Sequence, residues 1–143
     1  MGPDLTVHRV VIDSWPVMEW IKGREPARTY FNELIDDVVN GLSVMEMSRI
    51  NYGEVIYTIH KIPGVLNREE AIRNFLSAPI RVHSVDDNLV DEAVKLKSAY
   101  PFSYADAFAA ALAIRLRVPL ITGDLEFRAL EADGLISLEW VGA

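Results

Sequence analysis

The sequence predicts an α/β fold, a mainly parallel sheet with helices packed on both of its faces. Short runs of aliphatic and β-branched residues alternate along the chain with longer segments whose apolar residues recur at helical spacing. The first of the short runs, HRVVID at 8–13, is apolar at consecutive positions, as a strand buried on both faces is. A length of 143 residues is enough for one hydrophobic core, so residues 1–143 are expected to form one domain.

Taken in order, the first strand is expected at His8 to Asp13. Ser14 to Lys22 reads as a short helix ended by Gly23. Pro26 to Asn40 reads as a longer one, with Phe31, Leu34, Ile35 and Val38 on one face and Gly41 just past its end. Leu42 to Met47 is a second strand. Ser48 can cap a helix reaching about Lys61, broken by Pro63-Gly64, and Asn67 can cap the next, whose Ala71, Ile72, Phe75 and Leu76 share a face. Ile80 to Val85 is a third strand; Asp86 or Asp87 then opens a helix to about Tyr100, stopped by Pro101. Ser103 to Arg117 is alanine-rich, so it can lie close on the sheet and is expected at its centre. Pro119 to Gly123 and Ile136 to Val141 are the last two strands. No repeat or low-complexity segment interrupts the pattern.

Composition narrows the chemistry. Half the residues are hydrophobic and 24% are charged, the balance of a globular protein. With no cysteine, disulfides and thiolate metal sites are excluded. The three histidines, His8, His60 and His83, lack the paired spacing of a zinc site and read as surface or strand-end residues. No apolar run is long enough to span a bilayer, and Met1-Gly2-Pro3-Asp4 opens no export signal, so a cytoplasmic location is expected. The net charge of −7 argues against a polyanionic partner unless several acids form a metal site, where bound cations reverse the local sign.

Four acids stand at element junctions. Asp13 closes the first strand and Asp124 follows the LITG strand, at the carboxyl ends where ligands gather in open parallel sheets. Glu54 in NYGE and Asp106 in SYAD lie near helix starts. Each has a structural alternative. Asp13 or Asp124 can cap the following helix, Asp106 stands at capping-box distance from Ser103, and Glu54 can be a solvated helix residue. Together they point elsewhere. Two carboxylates about 5 Å apart repel by roughly 3 kcal/mol at an effective dielectric constant of about 20, so a cluster needs protons or cations. All-oxygen ligands favour Mg²⁺ or Mn²⁺, ions that activate water and stabilise charge on a phosphate under attack.

These junctions resemble those of the PIN-domain family over nearly the whole chain. VVIDS at 10–14 resembles its first strand and acid, SRINYGEVIY at 48–57 its second motif, SYADAFAAALA at 103–113 its third, and LITGDLEF at 120–127 its fourth. Order and spacing are similar to those of the small members called VapC toxins. The resemblance implies a three-layer α/β/α sandwich and an acidic pocket in which Asp13, Glu54, Asp106 and Asp124 bind Mg²⁺ or Mn²⁺ and cleave RNA endonucleolytically. It also implies that Ser14 and Thr122 orient ligands or water around the metal, with Glu126 a further acid nearby or an exposed helix-start residue. Trp15-Pro16 and Gly53 depart from the family's usual residues at those places.

The family further implies a type II toxin–antitoxin pair, with a VapB-like antitoxin whose basic tail occupies the acidic pocket, and a homodimer. Lys22, Arg24, Arg28 and Arg49 are candidate phosphate contacts, with ordinary solvated surface as the other reading. Val55, Ile56, Ile59, Ile72 and Phe75 form either a dimer or partner groove or ordinary core. An aspartyl-phosphate enzyme is a weaker reading, because no lysine follows Leu120. A PIN-like module that binds RNA or protein without cutting remains the alternative from a different class.

Overall fold

The structure, a computed structural model, describes residues 7–63, 65 and 67–143. The N-terminal residues read for an export signal, and Gly64 of the expected helix break, lie outside them.

The chain alternates strand and helix nearly throughout. In order come β1 (His8–Ile12), α1 (Ser14–Ile21), α2 (Ala27–Val39), β2 (Ser43–Ser48), α3 (Arg49–Lys61) and α4 (Arg68–Ser77). After these follow β3 (Ile80–His83), α5 (Asp87–Ala99), α6 (Tyr104–Leu116), β4 (Leu120–Thr122), a 3₁₀ turn (Leu125–Phe127), α7 (Arg128–Ala132) and β5 (Leu138–Trp140). The five strands pair in the order β3-β2-β1-β4-β5, and every pairing is parallel.

Side-chain alternation in β1 shows why its apolar residues are consecutive. Val10 and Ile12 enter one buried cluster, with residues of α1, α2, α3 and α4. Val11 enters the other, with residues of α5, α6 and α7. The sheet is therefore covered on both faces, giving the three layers the sequence implied. Helix α6 is buried from Asp106 through Ala113. Its five alanines over that stretch let the helix backbone approach β1, β2 and β4 closely.

Local capping follows the sequence. Ser48 accepts the amide of Asn51 at 3.1 Å, and Asn67 accepts that of Glu70 at 3.0 Å. Asp86, rather than Asp87, caps α5 by accepting the Leu89 amide at 2.8 Å. Gly41 follows α2 with a positive φ of 76°, which favours glycine. Several expectations differ in extent, with β2 at Ser43–Ser48 rather than Leu42 to Met47 and β4 at Leu120–Thr122 rather than Pro119 to Gly123. Asp13 stands just past β1, β3 stops at His83 rather than Val85, and the terminal strand is confined to Leu138–Trp140. The 3₁₀ turn and α7 have no counterpart in the sequence reading; elements of three and five residues are too short to show a period.

The order of the strands decides where a ligand can sit. From β1 the chain builds outward to β2 and β3, then returns to the other side of β1 for β4 and β5. The helices leaving β1 and β4 thus diverge, opening a crevice at the carboxyl ends of these two neighbouring strands. Asp13 and Asp124 are the residues found there.

Candidate active site

Asp13 is 1% exposed and occupies the N-cap position of α1. It makes no capping hydrogen bond, so the capping alternative does not account for it. One oxygen, Oδ2, accepts the Thr122 hydroxyl at 2.9 Å; the other, Oδ1, is buried without a partner. Thr122 Oγ1 in turn accepts the Asp124 amide at 3.1 Å, so one buried hydroxyl ties together the two acids that follow β1 and β4. Asp124 does cap: its Oδ1 accepts the Glu126 amide at 2.9 Å and closes the 3₁₀ turn.

Asp106 completes a capping box, receiving the Ser103 amide on Oδ2 at 3.2 Å while its own amide donates to Ser103 Oγ at 3.1 Å. Capping and cleft lining coexist here, because Oδ1 makes no hydrogen bond among the described residues. Glu54 is not a solvated helix residue. Its Oε1 is buried and has no partner.

Asn51, which sequence reasoning passed over, fixes the relation between these two acids. Buried one turn before Glu54, it donates from Nδ2 to the Ala105 carbonyl at 2.9 Å, next to Asp106. Ser48 Oγ donates to Asn51 Oδ1 at 2.6 Å and holds its amide in that orientation. The available signal was its place three residues before Glu54, on the same face of one helix.

Burial dominates the electrostatics. It holds the Asp13 carboxyl well above the usual range, repulsion from Asp106 and Glu54 adds to this, and the Thr122 hydrogen bond opposes it. Burial also pushes Asp106 up to about 6 against its two bonds from Ser103, with Asp124 and Glu54 adding repulsion. Ionising these acids therefore costs free energy that a bound cation would offset.

Asp13, Glu54, Asp106 and Asp124 line one open cleft of about 600 Å³. Ser14 and Trp15, from the start of α1, line it too. Glu126 is exposed beside it. Oxygens of Asp106, Asp124 and Glu126 lie within 4.8 Å of one another, a group that includes neither Asp13 nor Glu54. All the acids at the cleft offer carboxylate oxygens, and those of Asp13 Oδ1 and Glu54 Oε1 are buried without partners, so the residues fit a hard divalent cation.

The family departure at Trp15-Pro16 has a structural counterpart. A Cβ on Gly123 would sit 2.3 Å from the Trp15 ring, so only glycine lets the ring lie against the segment leading to Asp124. Pro16 falls in the first turn of α1, where its missing N–H costs nothing. Gly53 has open space around it.

The four basic candidates separate. Lys22 and Arg24 line the acidic cleft, with Arg24 3.5 Å from Glu19. Arg28 does not; it lines a neighbouring cleft that shares Lys22. Arg49 is exposed and lies over the Tyr52 ring at 5.3 Å. Val55, Ile59 and Phe75 are fully buried and belong to the core, whereas Ile56 and Ile72 are partly buried and pack against the same cluster. His8 and His83 bond Glu139 and Glu46, respectively, and His60 is exposed.

An open parallel sheet with clustered carboxylates in a cleft at its switch point defines a class of α/β protein whose acidic group could hold a metal ion. The chain belongs to the PIN domain family, whose profile matches residues 10–133. No curated protein sequence matches it. Among solved structures it is similar to VapBC2 from Rickettsia felis bound to a promoter DNA fragment, at TM-score 0.70 and 15% identity over 93% of this chain and 98% of that one. It is also similar to DNA-bound VapBC from Salmonella typhimurium, at 0.65 and 18% over 93% and 98%. A third is VapC20 from Mycobacterium tuberculosis, a sarcin–ricin-loop-cleaving toxin, at 0.61 and 18% over 84% and 93%. At these identities the likeness is one of fold. Among the described residues, no helix is long and apolar enough to cross a membrane.

Proposed function

We propose that this protein is an endoribonuclease dependent on Mg²⁺ or Mn²⁺ and acts as the toxin of a type II toxin–antitoxin pair. One observation carries the reading: Asp13 Oδ1 and Glu54 Oε1 are buried without partners beside a cleft they share with Asp106 and Asp124. Burying unpaired acceptors costs about 1–3 kcal/mol each, more when charged, and a fold keeps such groups where a ligand completes them. The RNA-cleaving activity named for the Mycobacterium tuberculosis relative supports RNA as substrate.

On this reading Asp13, Glu54, Asp106 and Asp124 hold the ion, which when bound supplies Lewis-acid stabilisation of the phosphate and a more acidic water. Thr122 fixes the Asp13 carboxylate and the Asp124 backbone from one hydroxyl. Asn51 holds α3 against the start of α6, so Glu54 and Asp106 keep their separation when a polyanion enters. Ser14 places a hydroxyl in the cleft, and Lys22 and Arg24 at its wall contact flanking phosphates.

The toxin–antitoxin complexes among the similar structures support an antitoxin as partner. A basic tail would satisfy the same unpaired carboxylates that take the cation, so antitoxin and metal compete for the cleft. We further propose a single domain over 1–143, a cytoplasmic location and a homodimer. End-mapped cleavage of total cellular RNA by purified protein, with Mn²⁺ or Mg²⁺ against a chelator and Asp106→Asn, tests the central claim. Discrete cuts requiring both metal and Asp106 are expected. Folded, metal-binding protein that makes no cuts would move the reading to a binding module.

A further inference from the structure

We infer that Trp15 is a nucleobase platform: its indole ring stacks an unpaired base of single-stranded RNA next to the phosphate held at the carboxylates. This rests on the ribonuclease reading above and deepens it to the form of the RNA, a single strand, and to a residue that binds it.

Trp15 is the one aromatic residue among the described residues that line the acidic cleft. It is half-buried and packs against the first core cluster. Its six-membered ring lies so close on Gly123 that a Cβ there would meet Cζ3 at 2.3 Å, Cη2 at 2.4 Å and Cε3 at 2.8 Å. That edge of the indole is wedged against the segment that delivers Asp124, and the ring nitrogen lies on the opposite edge. The nitrogen is not buried, and its N–H bonds to none of the described residues. Trp20, by contrast, donates its indole N–H to Asn32 at 2.8 Å. A tryptophan that served packing alone would close off both edges or pair its N–H. A ring fixed along one edge and open along the other is already ordered, so a base that stacks on it meets little entropic cost from the protein.

Helix α1 leads from this ring to the basic end of the cleft. Trp15, Met18, Glu19 and Lys22 line the cleft at the i, i+3, i+4, i+7 spacing of one helix face, with Arg24 just beyond. Trp15 and Lys22 stand about 10 Å apart along the helix axis. A strand laid along this face has one phosphate at the carboxylates, a base on Trp15 and a following phosphate within reach of Lys22 and Arg24. Every base has a face that can stack, so Trp15 selects an unpaired nucleotide rather than a sequence. In a duplex the base is held in the helical stack and its faces are covered, so paired RNA is excluded from this position.

The inference is tested by tryptophan fluorescence of the purified full chain in Mg²⁺, titrated with short oligoadenylate as a single strand and as a duplex with oligouridylate. Asp106→Asn is the background, so that the strand stays intact. The single strand should quench the fluorescence and the duplex should not. Adding Trp15→Leu should abolish the quenching and weaken single-strand binding about 5–150-fold. Trp15→Phe, which keeps a ring, should recover part of that affinity. With Asp106 intact, Trp15→Leu should keep its Mg²⁺ affinity by isothermal titration, and circular dichroism melts verify that each variant is folded. Equal single-strand affinity in Trp15→Leu, or equal quenching by the duplex, would overturn the proposal. A loss of RNA affinity matched by an equal loss of Mg²⁺ affinity would also overturn it, making Trp15 a support for Asp124. Unchanged RNA cleavage by Trp15→Leu would remove the platform and leave the ribonuclease reading standing. Single-strand quenching without cleavage of any RNA by wild type would keep the platform and remove the ribonuclease reading.

Discussion

Asp106→Asn separates the stability of the site from its chemistry. In the folded protein burial raises the Asp106 carboxyl from 3.8 to about 6. Because the folded state holds this proton more tightly than the unfolded chain, wild-type stability declines as pH rises through that window. The loss is complete above about pH 6 and amounts to roughly 3 kcal/mol. Asparagine never ionises, and its side-chain oxygen can still accept the Ser103 amide that Asp106 accepts at 3.2 Å. Weakening that bond by removing its charge costs about 0.5–1 kcal/mol, so a net gain of about 2 kcal/mol remains at neutral pH. In a domain of this size that is a rise in melting temperature of about 4–8 °C. The assay is calorimetric melting of both proteins in chelator from pH 4 to 7.5. The gap should be near zero or slightly negative at pH 4 and open progressively to pH 7. A gap that does not change with pH, or a less stable variant at pH 7.5, would refute the assignment of Asp106 as an acid ionising at a cost. With Mn²⁺ added, wild type should be stabilised more than the variant, and RNA cleavage should be lost in the variant.

Three further outcomes are expected. Thr122→Val keeps the shape but removes the hydroxyl that bonds both Asp13 and the Asp124 amide; Mn²⁺ affinity should fall about 10–100-fold by titration, with a melting temperature only modestly lowered. Gly123→Ala places a methyl 2.3 Å from the Trp15 ring, and the forced shift should cost about 1–3 kcal/mol in denaturant unfolding and weaken metal binding through Asp124. Glu46, fully buried on β2, takes a two-oxygen bond from Arg9 at 2.8 and 3.0 Å and a bond from His83 at 2.9 Å. Glu46→Ala strands these bases, but water reaches all of them, so the loss should be about 2 kcal/mol rather than the 3–5 kcal/mol of a fully buried pair, with Mn²⁺ binding unchanged.

How far the site could be read in advance differs from residue to residue. Asp13 and Asp124 were legible because an apolar run ending in an acid marks a strand's carboxyl end. Asp106 was legible only as ambiguous: Ser103 at capping distance argued for structure, and the fold gives it that role and the cleft together. Thr122 bonds both strand-end acids, as a polar residue ending a buried strand can. Glu46 gave no periodic signal and Asn51 only its helical spacing from Glu54, since what defines them is a partner far away in sequence: Ala105 for Asn51, Arg9 and His83 for Glu46. Val55, Ile59 and Phe75 had two readings because helical spacing identifies an apolar face but not what covers it. The cover is the first core cluster.

The sequence by itself determined the alternation of strand and helix, the capping residues and the four acids at junctions, because each follows from chemistry within a few neighbouring residues. The strand order belongs to the tertiary structure. It set β4 beside β1 and so brought Asp13 within reach of Thr122, 109 residues away. Burial belongs to it as well. Only the packed sheet and helices could strip water from Asp13 Oδ1 and Glu54 Oε1, and that desolvation leaves two unpartnered acceptors beside a cleft that could hold a cation.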